Sequence, residues 1–198
     1  DRIEPSKNVV RGFLAFGDLL ERHPEYCGRV KFVALLVPSR MELQEYQDYL
    51  GEIMATAGQV NARHGTSDWE PVRVLVGDSY PRAVAAMQLY DALLVNSIAD
   101  GMNLVAKEGP IVNRRDGVLV LSERTGARQQ LEPGALVISL ALPVQRNQGM
   151  GGYRLGIQRQ GLLQCLVGGG RAIVSHREVL PGLTQISPGL GIIGAQNQ

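Results

Sequence analysis

Short apolar runs alternate with longer segments of helical periodicity over the first 139 residues of the chain. The runs KFVALLV at 31–37 and VRVLV at 72–76 are almost continuously apolar, which is typical of strands buried on both faces of a parallel sheet. The pattern predicts helices at 8–22, 42–63, 81–90, 102–113 and 127–131, and strands at 31–37, 72–76, 92–96, 118–122 and 135–139. We therefore expect an α/β protein with a doubly wound parallel sheet, covered by helices on both faces.

The composition changes near residue 140. Residues 140–198 contain twelve of the 24 glycines, five arginines, no lysine and one acid, Glu178, so that their net charge is +4. Helical periodicity is weak in this segment, and a triple glycine at 168–170 interrupts any long element. We expect one folded domain at 1–139, followed by a glycine- and glutamine-rich tail of low order at 140–198.

Charge and cysteine content exclude several classes of protein. The net charge of the chain is +1 and no apolar run is long enough to span a bilayer, so neither nucleic acid nor a membrane is predicted as a partner. The two cysteines, Cys27 and Cys165, lie far apart without metal-ligand spacing, which argues against a disulfide framework or a zinc site. A reducing cytoplasm is the predicted location.

The segment DGMNLVAKE at 100–108 joins a predicted strand to a predicted helix. Ligands of open parallel sheets bind beyond the carboxyl ends of the strands, and the N–H groups at a helix start attract phosphate. Gly101 lets a ligand approach the backbone, and Asp100 is placed to accept hydrogen bonds from sugar hydroxyls. An ordinary helix cap beside a solvated charged face is the alternative interpretation.

Glu108 is the second acid of this segment. It lies eight residues beyond Asp100, about 12 Å along a helix, whereas the two carboxylates of a glycosidase lie about 5–9 Å apart. The spacing therefore favours contacts with the two ends of an elongated ligand over a glycosidase pair.

A basic pair lies in DRIEPSKN at 1–8, in a turn that leads into the first predicted helix. Arg2 offers a planar fork for bidentate phosphate binding and Lys7 offers a mobile point charge, and together they can neutralise a diphosphate. The alternative is a pair of solvated charges on an irregular segment.

Four motifs together resemble a known family. DRIEPSKN, VPSR, GTSDWEPV and DGMNLVAKE, in this order, are similar to the C-terminal, donor-binding half of the trehalose-6-phosphate synthases, which are retaining glycosyltransferases with two Rossmann-like domains, the GT-B fold. The resemblance covers residues 1–139. Glucosylglycerol-phosphate synthase and validoxylamine phosphate synthase share these motifs, so the motifs do not separate the three enzymes.

The resemblance implies roles for the matching residues. Arg2 and Lys7 match the pair that grips the donor diphosphate, Asp100 matches the acid on the glucosyl hydroxyls, and these three are the residues expected to carry catalysis. Glu108 matches the acid on the ribose. Arg40, in VPSR, matches an arginine that reaches the acceptor phosphate, with a strand-end surface arginine as the alternative. The remaining donor contacts match Gly101, Met102, Asn103, Leu104 and Val105.

The resemblance also implies the reaction. Glucose is transferred from UDP-glucose to glucose 6-phosphate with retention, and the departing UDP oxygen assists the incoming hydroxyl on the same face. No enzymic nucleophile is evident and no DxD-type acidic cluster is present, so neither a metal nor another cofactor is expected.

The sequence also departs from the family. The N-terminal half that carries most of the acceptor site, and the helices expected after GALVIS, have no counterpart in the chain, which starts with Asp1. We therefore expect part of a longer enzyme that is inactive alone, with the missing acceptor domain as partner and a homo-oligomer as a possible full assembly. Two other functions stay open: a nucleotide-sugar-binding module without turnover, and an interaction protein whose basic tail contacts nucleic acid.

Overall fold

A computed structural model of the protein describes residues 1–138, in which every paired strand is parallel to its neighbour. The helices are α1 (Val9–Arg22), α2 (Gln44–His64), α3 (Tyr80–Leu89), α4 (Leu104–Val112) and α5 (Arg128–Leu131). The strands are β1 (Phe32–Leu36), β2 (Val72–Val76), β3 (Ala92–Val95), β4 (Val118–Ser122) and β5 (Leu136–Ile138). Short 3-10 helices span Pro5–Lys7, Pro24–Tyr26 and Glu132–Gly134.

The α/β class and the order of helices and strands predicted from the sequence are confirmed. Each predicted element agrees with the observed one to within two residues at either end. The 3-10 helices were not predicted, and each begins at or next to a proline, whose fixed φ favours a first helical turn. Residue 139, predicted to end the last strand, and the tail at 140–198 lie outside the described residues.

The strands form two parallel sheets, β1-β2 and β3-β4-β5. The backbone at 1–3 runs alongside the end of β1 as an isolated parallel bridge, with Ile3 N donating to Val37 O at 2.9 Å and Val37 N to Asp1 O at 2.8 Å. The fully buried Ile3 side chain anchors this segment in the core. The turn at 5–7 therefore starts from a fixed position beside the carboxyl end of β1.

Helix α1 packs across both sheets. Phe13 and Phe16 meet the Phe32 ring edge-on, with centroid separations of 5.2 and 5.5 Å. Full burial of a side chain such as Phe13 contributes about 1.5–3 kcal/mol. A Cβ at Gly12 would contact Phe32 of β1 and Leu94 of β3 at 3.7 and 3.8 Å, so the helix lies close to a strand of each sheet.

Reciprocal amide contacts join the start of α1 to the end of β3. Asn8 donates through Nδ2 to Asn96 O at 2.9 Å, and Asn96 donates through Nδ2 to Asn8 O at 3.1 Å. Ile98 N donates to Ser6 O at 2.8 Å. Asn8 is buried with a φ of 61°, a left-handed conformation that asparagine tolerates better than most residues. These contacts bring the turn at 5–7 against the loop that follows β3.

No helix within residues 1–138 combines the length and the apolar character needed to cross a membrane.

Replacing Asn8 with alanine is expected to lower the free energy of unfolding by about 1–3 kcal/mol, because a buried hydrogen bond is lost and alanine disfavours positive φ. Denaturant unfolding can be followed through Trp69, the sole tryptophan, whose indole donates to Val30 O at 3.0 Å. Gln59→Ala, on the exposed side of α2, is the control and should stay within about 0.5 kcal/mol of the native value. Equal stability of the two variants would contradict a structural role for the Asn8 contact.

Candidate functional site

Lys7 and Asp100, 93 residues apart in the sequence, meet in the structure. Lys7 ends the 3-10 turn that precedes α1, and Asp100 lies in the loop between β3 and α4. The distance from Lys7 Nζ to Asp100 Oδ2 is 2.8 Å, and the two side chains are 8% and 11% exposed. A short ion pair sheltered from water is stronger than a solvated surface pair. Two of the residues predicted to act on one ligand are therefore in direct contact.

The Asp100 carboxylate accepts three hydrogen bonds at one oxygen. Besides Lys7, Oδ2 accepts from Ser97 Oγ at 3.0 Å and from Asn103 Nδ2, which leaves Oδ1 outside these three contacts. Burial alone would raise the pKa of Asp100, but the hydrogen bonds from Lys7, Asn103 and Ser97 and the nearby ammonium charge outweigh it and hold the pKa below its usual value. The group is thus an ionised hydrogen-bond acceptor at neutral pH.

Asn103 starts helix α4. It has a φ of 49°, and its Oδ1 accepts a hydrogen bond from Ala106 N at 2.9 Å, so it caps the helix while its Nδ2 contacts Asp100. The next two backbone N–H groups, of Leu104 and Val105, belong to the helix start, which carries a partial positive charge. The Met102 and Leu104 side chains are 61% and 58% exposed. The segment predicted to meet a ligand therefore combines helix-end donors with an open surface.

Buried hydroxyl groups at and after the end of β4 hold the loop between β3 and α4 by hydrogen bonds to the backbone at its start. The Oγ of Ser122, at the end of β4, donates to Ser97 O at 2.6 Å and lies 3.0 Å from Thr125 Oγ1. Thr125 in turn donates to Val95 O at 3.3 Å. These side chains are almost fully buried, so each hydroxyl satisfies polar groups that water cannot reach. The sequence did not indicate this network, because serine and threonine after a strand are common in turns.

Two glycines at this loop differ in the space around them. A Cβ on Gly126 would overlap the carbonyl oxygen of Gly101 and lie 3.0 Å from Asp100 O, so the turn after β4 packs backbone against backbone on the loop. A Cβ on Gly101 would meet nothing within 4 Å. The space beside Gly101 is therefore free, and the predicted approach of a ligand to its backbone stays a prediction. Gly126 was not singled out from the sequence, and its close packing sets the position of the loop.

Arg2 comes from the same segment as Lys7 but lies in different surroundings. Its side chain is 59% exposed and its Nη1 is 3.1 Å from Glu4 Oε1. Glu4 Oε1 also accepts a hydrogen bond from Ser39 Oγ at 3.2 Å, which ties the loop after β1 to this segment. Lys7 has a second carboxylate close by, with Nζ 3.4 Å from Asp1 Oδ1. The structure therefore pairs Arg2 with Glu4 and Lys7 with Asp100.

Arg40 is exposed in the loop after β1, with a φ of 49°. Its Nη1 donates to the Tyr46 hydroxyl at 3.2 Å, and its guanidinium lies 5.9 Å from the centroid of that ring. A guanidinium over an aromatic face gains a cation–π attraction. The contact holds the side chain on the surface near the carboxyl end of β1.

The sequence-based distance between Asp100 and Glu108 assumed that the chain is helical from residue 100 to residue 108, and this assumption was wrong. Helix α4 begins at Leu104, because the left-handed Asn103 caps it, and residues 100–103 are not helical. The helical rise therefore applies only from Leu104 to Glu108, about 6 Å. Glu108 is half-buried on α4. Its predicted role at the far end of a ligand stays a prediction.

Within residues 1–138, no three His, Cys, Asp or Glu side chains cluster closely enough to hold a metal ion. The expectation of a metal-independent site remains a prediction.

Gly126→Ala is expected to lower the free energy of unfolding by about 1–3 kcal/mol, because the added methyl group displaces the Gly101 carbonyl. The displacement should appear as amide NMR shift changes centred on residues 100–103. Gly134→Ala is the matched control, since a Cβ there meets no heavy atom within 4 Å. Equal stability and equal loop spectra for the two variants would contradict the packing role of Gly126.

Comparison with known proteins identifies related chains. Residues 1–139 match the family Glycosyltransferase family 20. The UDP-forming alpha,alpha-trehalose-phosphate synthase of Botryotinia fuckeliana is 38% identical over 141 residues, which are 70% of this chain and 27% of that protein. The chain thus spans about a quarter of the length of this curated relative.

Solved structures show the same similarity. A trehalose-6-phosphate structure from E. coli, bound with UDP-2-fluoro glucose, has a TM-score of 0.71 and 28% identity, covering 94% of this chain and 40% of that one. The alpha,alpha-trehalose-phosphate synthase of Burkholderia xenovorans in complex with glucose-6-phosphate has the same TM-score and identity, with 93% and 39% covered. The predicted GT-B relationship is therefore confirmed, and the chain belongs to glycosyltransferase family 20.

Proposed function

We propose that the chain is the donor-binding part of a UDP-forming trehalose-phosphate synthase and that it binds UDP-glucose beside α4. The observation that carries the proposal is the contact between the buried Lys7 ammonium and the Asp100 carboxylate at the start of this helix. A cation for a diphosphate and an anion for sugar hydroxyls thus lie side by side. The curated relative carries the name of this activity, and the E. coli structure is bound with UDP-2-fluoro glucose.

The donor is assigned to the site by charge and hydrogen bonding. Lys7, the exposed Arg2 guanidinium and the N-terminus of α4 attract the diphosphate. Asp100, held ionised, accepts hydrogen bonds from glucosyl hydroxyls, and Gly101 leaves room for the sugar. Glu108, further along α4, is assigned to the ribose. The backbone at 102–105 lines the path between sugar and phosphate.

The proposed reaction needs charge stabilisation at the leaving group more than proton transfer by the protein. The bond between the anomeric carbon and the UDP oxygen breaks, a bond to the acceptor hydroxyl forms on the same face, and the hydroxyl proton passes to the departing phosphate oxygen. Lys7, Arg2 and the α4 N-terminus stabilise the charge that develops there. A carboxylate with a lowered pKa is a poor proton donor at neutral pH, so Asp100 positions the sugar and does not act as a general acid.

Glucose 6-phosphate is the proposed acceptor, and Arg40 is the residue proposed to contact its phosphate. The guanidinium is exposed and contacts Tyr46, so it presents a positive charge near the carboxyl end of β1. The B. xenovorans relative was solved in complex with glucose-6-phosphate. Glucosylglycerol-phosphate synthase and validoxylamine phosphate synthase activities remain the alternatives, because they differ in the acceptor or in the donor chemistry.

Donor binding is tested by calorimetry with UDP-glucose on the 198-residue chain and on Arg2→Ala and Lys7→Met. Each substitution is expected to weaken binding by about 1.5–3 kcal/mol, roughly 10- to 150-fold, because each removes a charged contact to the diphosphate.

Arg73→Ala is the matched control for Arg2→Ala. Arg73 is 60% exposed and lies 3.2 Å from Glu70, much as Arg2 lies beside Glu4, but it belongs to β2. Its replacement should leave UDP-glucose affinity unchanged. If both the Arg2 and the Lys7 variant bind UDP-glucose as tightly as the native chain does, the assignment of these residues to the diphosphate is wrong.

Turnover is tested by UDP release from UDP-glucose and glucose 6-phosphate. We expect the chain alone to bind the donor without turnover, and turnover to appear when a separately produced acceptor half is added. Holding the two reactants in one closed cleft can supply about 7–11 kcal/mol of the barrier. Rapid turnover by the chain alone would contradict this division of the site, whereas binding without turnover in the mixture would favour a nucleotide-sugar-binding module.

A further inference from the structure

The Lys7–Asp100 contact joins two groups that the proposed function assigns to different halves of the donor. Lys7 is assigned to the diphosphate and Asp100 to the hexose, yet Nζ and Oδ2 are 2.8 Å apart and both side chains are largely buried. An ammonium that turns towards a diphosphate has to leave this carboxylate. The binding of any diphosphate is therefore coupled to the state of Asp100.

We propose that Asp100 acts against the binding of the free nucleoside diphosphate, and that a nucleotide sugar escapes this competition because its hexose hydroxyls replace Lys7 at the carboxylate. The inference rests on the proposed function. A free nucleoside diphosphate that draws Lys7 away leaves a sheltered carboxylate without its ammonium partner, which is costly. A nucleotide sugar supplies new partners to both groups at once. After glucose transfer the sugar is gone, the ion pair re-forms and UDP leaves more readily.

The surroundings of the pair allow the Lys7 ammonium to move from Asp100 to a diphosphate without movement of the backbone. Asp100 keeps two further donors, Ser97 Oγ and Asn103 Nδ2, so its carboxylate stays in place when the ammonium leaves. Lys7 has a flexible four-carbon chain, and a second carboxylate lies close to it, with Nζ 3.4 Å from Asp1 Oδ1. The turn that carries Lys7 is held to the loop by the hydrogen bond from Ile98 N to Ser6 O. The ammonium can therefore change partners while both backbones remain fixed.

Because the Lys7–Asp100 pair is largely buried, Asp100 competes strongly enough with a diphosphate for the effect to be measured. An ion pair at the surface is screened by water and salt and contributes little. Lys7 and Asp100 are 8% and 11% exposed, whereas the side chains of the Arg63–Glu21 pair are 66% and 52% exposed. Asp100 is thus a stronger competitor for its cation than an ordinary surface carboxylate.

The test is calorimetry of the 198-residue chain and its Asp100→Asn variant, with UDP and with UDP-glucose as the probes. The substitution keeps the shape of the side chain but removes its charge. We expect the affinity for UDP to rise about tenfold, the size of one sheltered charged hydrogen bond. The advantage of UDP-glucose over UDP should narrow, because an amide replaces the carboxylate that accepts the sugar hydroxyls.

Asp91→Asn is the matched control. Asp91 forms an ion pair with Arg115 at 3.1 Å, and it precedes β3 instead of following it, so the same change of charge should alter neither affinity. If circular dichroism shows that Asp100→Asn does not fold, Asp100→Ser removes the same charge while keeping a hydrogen-bonding group.

The outcomes separate this inference from the proposed function. UDP affinity that is unchanged or lower in Asp100→Asn, with the native chain binding both probes, would overturn the competition and leave donor binding intact. A native chain that binds neither UDP nor UDP-glucose would overturn the proposed function and this inference with it.

Discussion

The ion pair between Lys7 and Asp100 is the interaction on which the candidate site depends. It joins a turn before α1 to the loop after β3, which are 93 residues apart in the sequence and lie beside different sheets. The pair forms because the backbone at 1–3 is fixed alongside β1 and because Asn8 and Asn96 exchange amide hydrogen bonds. Two charges can remain sheltered from water only when backbone contacts of this kind hold them at bonding distance.

The loop that carries Asp100 is positioned by the helix cap that follows it and by residues at and after the end of β4. Asn103 caps α4 and contacts the carboxylate, the hydroxyls of Ser122 and Thr125 bind the carbonyls of Ser97 and Val95, and Gly126 packs on the loop backbone. The three polar side chains satisfy buried polar groups, and Gly126, which has no Cβ, allows the two backbones to pack closely. The result is a carboxylate that stays ionised although burial opposes its charge. Its positioning therefore depends on residues from the ends of two neighbouring strands.

The periodicity of the sequence was sufficient to predict the helices and strands, because apolar runs and amphipathic segments report local burial directly. The motifs at 1–8 and 100–108 and their resemblance to the family indicated Lys7 and Asp100 as candidate binding residues. The sequence did not indicate that the two side chains contact each other, since a contact across 93 residues depends on how the two sheets are joined. Gly126 was missed for a similar reason, because one glycine in a turn shows nothing about the backbone opposite it. The helix start was placed too early, because the left-handed conformation of Asn103 is a property of the folded loop.

The role of the Lys7–Asp100 ion pair is tested most directly by measuring the pKa of Asp100. Carbon NMR of its carboxyl group gives this pKa in the native chain and in Lys7→Met. We expect the pKa of Asp100 to lie below the usual aspartate value in the native chain and to be clearly higher in the variant, because the hydrogen bond and the charge of Lys7 no longer oppose the effect of burial. Lys31→Met, at an exposed lysine, should leave the titration unchanged. An identical Asp100 pKa in the native and Lys7→Met chains would contradict the claim that this ion pair organises the site.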